Sequence, residues 1–250
     1  MKLKISKKHD SKKPPETTLD GLPKHLPIIP SINPRARRVA LRMDIKNRCF
    51  KLVMPKGLSQ KRALQFVLKH QSWMENKLYT LPAPIPFNHG QTLPIFGEER
   101  TIRIFFDQNR KTTNISFIGD TIIDVKTNKI EPTNRIERFF RTQAKNYLKD
   151  LSKDKADQIN NVVNRISVRD TTSRWGSCSP DGNLSYSWRL IFAPVYVIDY
   201  IVAHEVAHLK HLDHSPDFWA TCESLSHDYK NGKLWIREHG HSLMRYGQKA

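Results

Sequence analysis

Residues 194–217 read PVYVIDYIVAHEVAHLKHLDHSPD, and this stretch decides the architecture. Pro194 opens an apolar, helix-forming run, predicted to extend to Leu212. Within it, Ile198, Val202, Val206 and Leu209 fall within roughly 80° of one another on a helical wheel, while His204 and His208 share another face. Residues 204–208, His-Glu-Val-Ala-His, match H-E-x-x-H. Positions four apart on a helix lie one turn from each other, so both imidazoles reach a single ion. Glu205, beside the pair, is placed to take a proton from a water that attacks a carbonyl, with zinc as the expected metal.

A catalytic zinc needs a third protein ligand. His211 lies about 10 Å along the helix axis from His204, too far to share the ion. His214 precedes Ser215-Pro216-Asp217, which has the pattern of an N-cap, a first-turn proline and a dipole-favoured aspartate. That places His214 in a tight corner between two helices, from which it can turn back over the first. Glu223 and His227 on the following segment are the alternatives. His239, His241 and Tyr246 are further polar groups that nothing local assigns to the site.

Upstream, the turn-rich SCSPDGN (177–183) separates two β-like runs and predicts a hairpin. A strand over 183–190 beside the helix offers main-chain donors and acceptors to an extended peptide. Trp175 and Trp188 read first as core anchors, and Cys178 as a small buried thiol before a nucleophile. Arg174 and Arg189 are candidates for stabilising an oxyanion, or equally for structural carboxylate pairs.

Further out, Arg38 to Met54 alternates with a break at Lys46-Asn47-Arg48, predicting a hairpin. Ser59 caps one predicted helix reaching Leu78. Three or four short strands are expected between Gln91 and Val125. A long helix is expected from Pro132-Thr133 to about Asn160, and a strand near 162–168. Helices are also expected over Pro216–Leu225 and Lys233–Arg245. The fold class is α+β, without βαβ alternation.

The 250 residues hold 42 Lys+Arg against 24 Asp+Glu, a net charge of +18. Residues 1–150 carry +17 of it, with 30 basic and 13 acidic side chains. Such a field suits nucleic acid, ribosomes or another polyanion as a partner of residues 1–150. Ten Gly, 15 Pro and no repeat exclude collagen-like and coiled-coil classes. The longest apolar run, Leu190 to Ala203, is interrupted by Asp199 and too short to span a membrane. The lysine-rich start lacks the apolar segment of a secretory signal, and the three cysteines are scattered, so a cytoplasmic location is expected. Oligomeric state leaves no trace in the sequence.

The run RWGSCSPDGNLSYSWRLIFAPVYVIDYIVAHEVAHLKHLDHSPDFW (174–219) resembles the YgjP-like metallopeptidase family. The family's pattern is R-W-G-S-C, a strand ending N-W-R-L, then V-I-D-Y-V-V-x-H-E-L-x-H and N-H-S-x-x-F-W. Weaker similarity covers RRVALRM (37–43) and FNHGQTLPIFGEERTIRI (87–104), so the resemblance spans roughly residues 30–245. Ser187, Val206 and Asp213 depart from the pattern and leave the metal set intact. The resemblance implies a zinc peptidase acting on peptide or protein substrates, with His204, His208 and His214 as ligands and Glu205 as general base. It is more distantly similar to SprT-like proteases, which act on proteins crosslinked to DNA. The organisation expected is a flexible basic arm over 1–27, a β-rich basic portion with one helix over 28–130, and a zincin-like helical catalytic region over 131–250. The competing expectation is a nucleic-acid- or ribosome-associated binding protein with a structural or vestigial zinc.

Overall fold

The computed structural model describes residues 18–248. Residues 1–17, most of the expected basic arm, lie outside the described residues. The chain divides into two compact units, Met1–Leu81 and Pro82–Ala250.

In the first unit, β1 (Ile28–Ile32), β2 (Ala40–Asp44) and β3 (Cys49–Met54) form a sheet with β3 central. The predicted β2–β3 hairpin is present, and Arg48 turns it with a left-handed φ of 50°. β1 pairs parallel to β3 on the outer side. Pro30, which gives no N–H to a ladder, is tolerated on that edge strand and hides it from sequence reading. Phe50, Leu52 and Met54 pack with Ala63, Val67 and Met74, and Leu19 and Leu26 join the same small core. The single helix expected after Ser59 is instead two, α1 (Gln60–Lys69) and α2 (Gln71–Tyr79). His70 stands at the joint, and its Nδ1 lies 2.8 Å from the Phe66 carbonyl. A one-residue joint barely disturbs the three-and-four spacing, so the periodicity runs through it unbroken.

The second unit begins with β4 (Thr92–Ile95), β5 (Glu98–Phe106), β6 (Asn114–Ile118) and β7 (Ile122–Thr127), ordered β4-β5-β7-β6. Phe96 and Gly97 both take positive φ at the β4–β5 turn, as a tight hairpin requires. α3 (Thr133–Gln158) buries Ile136, Phe140, Ala144 and Leu148, one stripe at three- and four-residue spacing. A second sheet holds β8 (Arg165–Arg169), β9 (Gly176–Cys178) and β10 (Asn183–Ser187) in the order β8-β10-β9. A 3-10 turn over Trp188–Phe192 leads into α4 (Val195–Ala207), followed by α5 (Pro216–Leu225) and α6 (Tyr229–His239). The fold is α+β, as expected.

α4 is the hub of this unit, packing on α3, α5, α6 and β9. It is not amphipathic in the way its wheel suggests: Val197, Ile198, Tyr200 to Ala203 and Glu205 to Ala207 are all buried. Asp199, which interrupts the apolar run, reaches Lys155 of α3 at 2.5 Å, and the same ammonium donates to the Leu225 carbonyl at the end of α5. One buried cation thus ties three helices together. No helix among the described residues is long and apolar enough to cross a membrane.

Candidate metal centre

α4 stops earlier than expected, at Ala207 with His208 as C-cap. The chain then tightens, with Leu209 donating to the Val206 carbonyl and Lys210 to that of Ala207. This turn aims the His211 carbonyl back at the helix end, 2.9 Å from His208 Nδ1. Donation from Nδ1 fixes the tautomer and leaves the Nε2 lone pair of His208 available. His211 therefore contributes its main chain to the site, not its imidazole.

The corner that follows forms as its residues dictate. Asp213 Oδ1 accepts from the Ser215 N–H at 3.2 Å, and Ser215 Oγ caps α5 by accepting from Phe218. His214 is thereby folded over α4, with Nε2 3.2 Å from Nε2 of His204. One ligand atom from each of His204, His208 and His214 lies within 4.8 Å of the other two. Nitrogens bound tetrahedrally to one zinc at about 2.0–2.1 Å stand about 3.3 Å apart, so the His204–His214 spacing suits such an ion. Phe218, fully buried, forms the floor, with its ring centroid 4.5 to 4.9 Å from all three imidazoles. Burial pushes the His204 pKa down to about 4, helped by His208, His214 and Lys233. Burial also lowers that of His208, against the pull of the His211 carbonyl. Both rings are neutral donors at pH 7, and the donor set fits a borderline-soft divalent ion.

Glu205 projects from α4 towards β9 and is 6% exposed. Burial raises its carboxyl pKa to about 8, with the Arg174 charge pulling the other way. The carboxyl rests directly on Gly176, where any Cβ would stand 2.4 Å from Oε1. Arg174, Gly176, Ser177 and Cys178 on one side and Leu212 with the histidines on the other enclose a cleft of about 370 Å³.

The remaining sequence candidates sort plainly. Glu223 and His227 are exposed and stay outside the histidine cluster, and Glu223 faces Lys230 at 3.9 Å. Arg189 is buried: it pairs with Asp170 at 2.9 Å, donates to the Tyr246 carbonyl and covers the Trp188 ring. It is a structural arginine, which leaves Arg174 as the cation lining the cleft. Trp188 is a fully buried anchor. The Cys178 thiol is pushed up to about 11, by burial first and then by Glu205, so it stays protonated at neutral pH. Tyr246 stacks on Phe192, and His239 contacts Trp235, both outside the cleft lining. The expectation that 183–190 presents a free strand is corrected. β10 is paired on both sides and the chain coils into a 3-10 turn after Ser187, so the edge beside the histidines is β9.

Sequence reading missed two residues. Gly176 was legible in principle, since glycine within a strand marks a close approach. Phe218 looked like any apolar residue of a first helical turn.

The α+β fold turns a corner histidine over the helix-borne His-Glu-x-x-His, an arrangement that can hold one divalent ion beside a carboxyl. The chain belongs to the YgjP-like family, whose metallopeptidase domain matches residues 37–239. No curated protein matches it. Among solved structures, the metallopeptidase zymogen of Pyrococcus abyssi abylysin is similar over 36% of this chain and 93% of that one, at 20% identity and a TM-score of 0.33.

Proposed function

We propose that the protein is a zinc-dependent peptidase in which His204, His208 and His214 hold the ion and Glu205 is the general base. The observation that carries this reading is the convergence of three imidazoles beside a buried carboxyl, within one open cleft. A zinc ion bound there supplies Lewis-acid polarisation and brings the pKa of water towards ~7.

The chain's own residues supply the rest. Burial raises the Glu205 carboxyl above the ordinary carboxylate range, which makes its ionised form a stronger base for taking a proton from water. Arg174, whose charge acts on that carboxyl, is the candidate to stabilise negative charge developing on a carbonyl oxygen. β9 is the docking edge. Ser187 donates to the Trp175 carbonyl and Ser179 to that of Asn183, so by antiparallel alternation Ser177 pairs inward with Ser185. Gly176 and Cys178 therefore turn their N–H and C=O groups outward, where an extended peptide can pair with them. Three unbridged cysteines accord with the cytoplasmic location that forms part of this reading.

Elemental analysis of untagged protein tests the assignment. We expect about one zinc per chain, much reduced in His214→Ala. Glu205→Gln should retain the metal while peptide hydrolysis falls by about 10²–10⁴-fold. No zinc after reconstitution, or full hydrolysis by Glu205→Gln, would overturn it.

A second reading concerns the first unit. Residues 1–81 hold 19 Lys+Arg against 5 Asp+Glu, which suits a polyanion such as nucleic acid. Binding of duplex DNA that falls steeply with salt and is untouched by Glu205→Gln supports it; no binding at low salt removes it.

A further inference from the structure

The sheet carrying β9 has two faces, and the metal centre uses only one. Gly176 packs on Glu205, so the face bearing Gly176 and Cys178, with Leu184, Tyr186, Ile166 and Val168, is turned inward. The opposite face follows from the register. Ser167 of β8 pairs with Ser185 of β10, which pairs with Ser177 of β9, giving a row of three serines across the sheet. Arg165 and Arg169 stand two residues either side of Ser167 on that same face, because side chains alternate along a strand. Both are exposed, and no carboxylate lies within ion-pairing distance of either among the described ion pairs. These residues with Arg174 line a groove of about 490 Å³, floored by small hydroxyl groups and walled by guanidinium groups. The groove shares Arg174, Ser177 and Cys178 with the metal cleft.

A peptide that adds to β9 as a fourth strand must place the residue opposite Ser177 with its side chain on this outer face. That side chain meets the mouth of the serine-floored groove. We propose that the groove is a specificity subsite for acidic side chains of the substrate, held by Arg165, Arg169 and Arg174. The inference rests on the peptidase reading, which supplies the peptide on β9. Carboxylates match the arginine forks in charge and geometry. A single-stranded nucleic acid is the poorer occupant, because no aromatic side chain lines the groove to stack a base; the three arginines outnumber Asp181, the one carboxylate in the lining.

Binding to full-length Glu205→Gln protein tests this without turnover. The probes are a fluorescein-labelled Glu-Val repeat peptide and its Gln-Val counterpart, read by anisotropy at low salt. The acidic peptide should bind at least about tenfold more tightly. Arg165→Gln with Arg169→Gln should erase most of that difference, whereas Arg37→Gln with Arg38→Gln in the first unit should leave it intact. Equal binding of the two peptides by the parent protein overturns the subsite, whether or not the double variant folds. Loss of the difference in the Arg37/Arg38 variant also overturns it, by assigning the effect to overall charge. So does an oligonucleotide that displaces the acidic peptide at lower concentration than unlabelled acidic peptide does. Hydrolysis of the neutral peptide by the parent enzyme is measured separately, so failure of the peptidase reading is distinguishable from failure of the subsite.

Discussion

Gly176 is where the main chain of β9 passes over Glu205, and alanine at that position tests whether this close approach sets the carboxyl. The added Cβ would lie 2.4 Å from Oε1, 2.5 Å from Cγ and 2.7 Å from Cδ. Gly176 does not adopt positive φ, so the backbone accepts alanine and the effect is steric alone. Ordinary contact begins at about 3.5 Å, so Oε1 must retreat by about 1 Å. α4 cannot yield as a body, because Val202, Ala203, Val206 and Ala207 are fully buried around it. The side chain swings instead, or the three-residue strand lifts. Overpacking of this kind costs about 1–3 kcal/mol of stability, and a misplacement of about 1 Å at a reacting group costs about 100-fold in rate. Bound-metal content should not change, since the three nearest atoms the Cβ meets all belong to Glu205. Thermal melting, elemental analysis and hydrolysis of a fluorogenic peptide read the three quantities. In a Glu205→Ala background the clash partner is gone, so the stability cost of Gly176→Ala should vanish, a direct coupling measurement. Wild-type hydrolysis and melting by Gly176→Ala would refute the reasoning.

Other outcomes follow from the same geometry. With its pKa moved from 9.0 to about 11, Cys178 should react with iodoacetamide about a hundred-fold more slowly at pH 8 than an unperturbed thiol, at a rate that rises about tenfold per pH unit and levels off only near pH 11; fast labelling at neutral pH would restore the nucleophile reading. Lys155→Met strips Asp199 and the Leu225 carbonyl of their shared cation, and urea unfolding should show a loss of about 2–3 kcal/mol, tempered by the partial exposure of Asp199. Arg189→Ala should cost about 3 kcal/mol by taking one guanidinium partner from the largely buried Asp170 carboxylate, which also meets Arg141. Folded Arg189→Ala protein should still hydrolyse peptide; a rate loss without a stability loss would return Arg189 to the chemistry.

His204, Glu205 and His208 are legible because helix geometry converts a spacing of four into a shared face without tertiary information. His214 is legible because Asp213, Ser215 and Pro216 fix a corner by local hydrogen bonds alone. The turns flanking β4 to β7 announce themselves through Gly97 and Gly119 for the same reason. What stays hidden is set by neighbours distant in sequence. Strand order is one case: nothing in 183–187 says that β8 will pair on its far side, yet that pairing moves the free edge from β10 to β9. The end of α4 is another, because His208 to Leu212 retain helical composition while the His211 carbonyl is drawn to the His208 ring. The fate of Arg189 depends on Asp170 and on the Tyr246 carbonyl, far along the chain.

The brevity of β9 also limits how a substrate is held. Three residues, with only Gly176 and Cys178 facing outward, offer at most two donors and two acceptors. Each such bond contributes about 0.5–1.5 kcal/mol net, whereas fixing each substrate residue costs about 1–2 kcal/mol of backbone entropy. Main-chain pairing here roughly breaks even, so it sets direction and register but not residence time. In the proposed docking mode, products leave such a short rail readily, and a polypeptide already stretched by its own context starts with part of the ordering cost met.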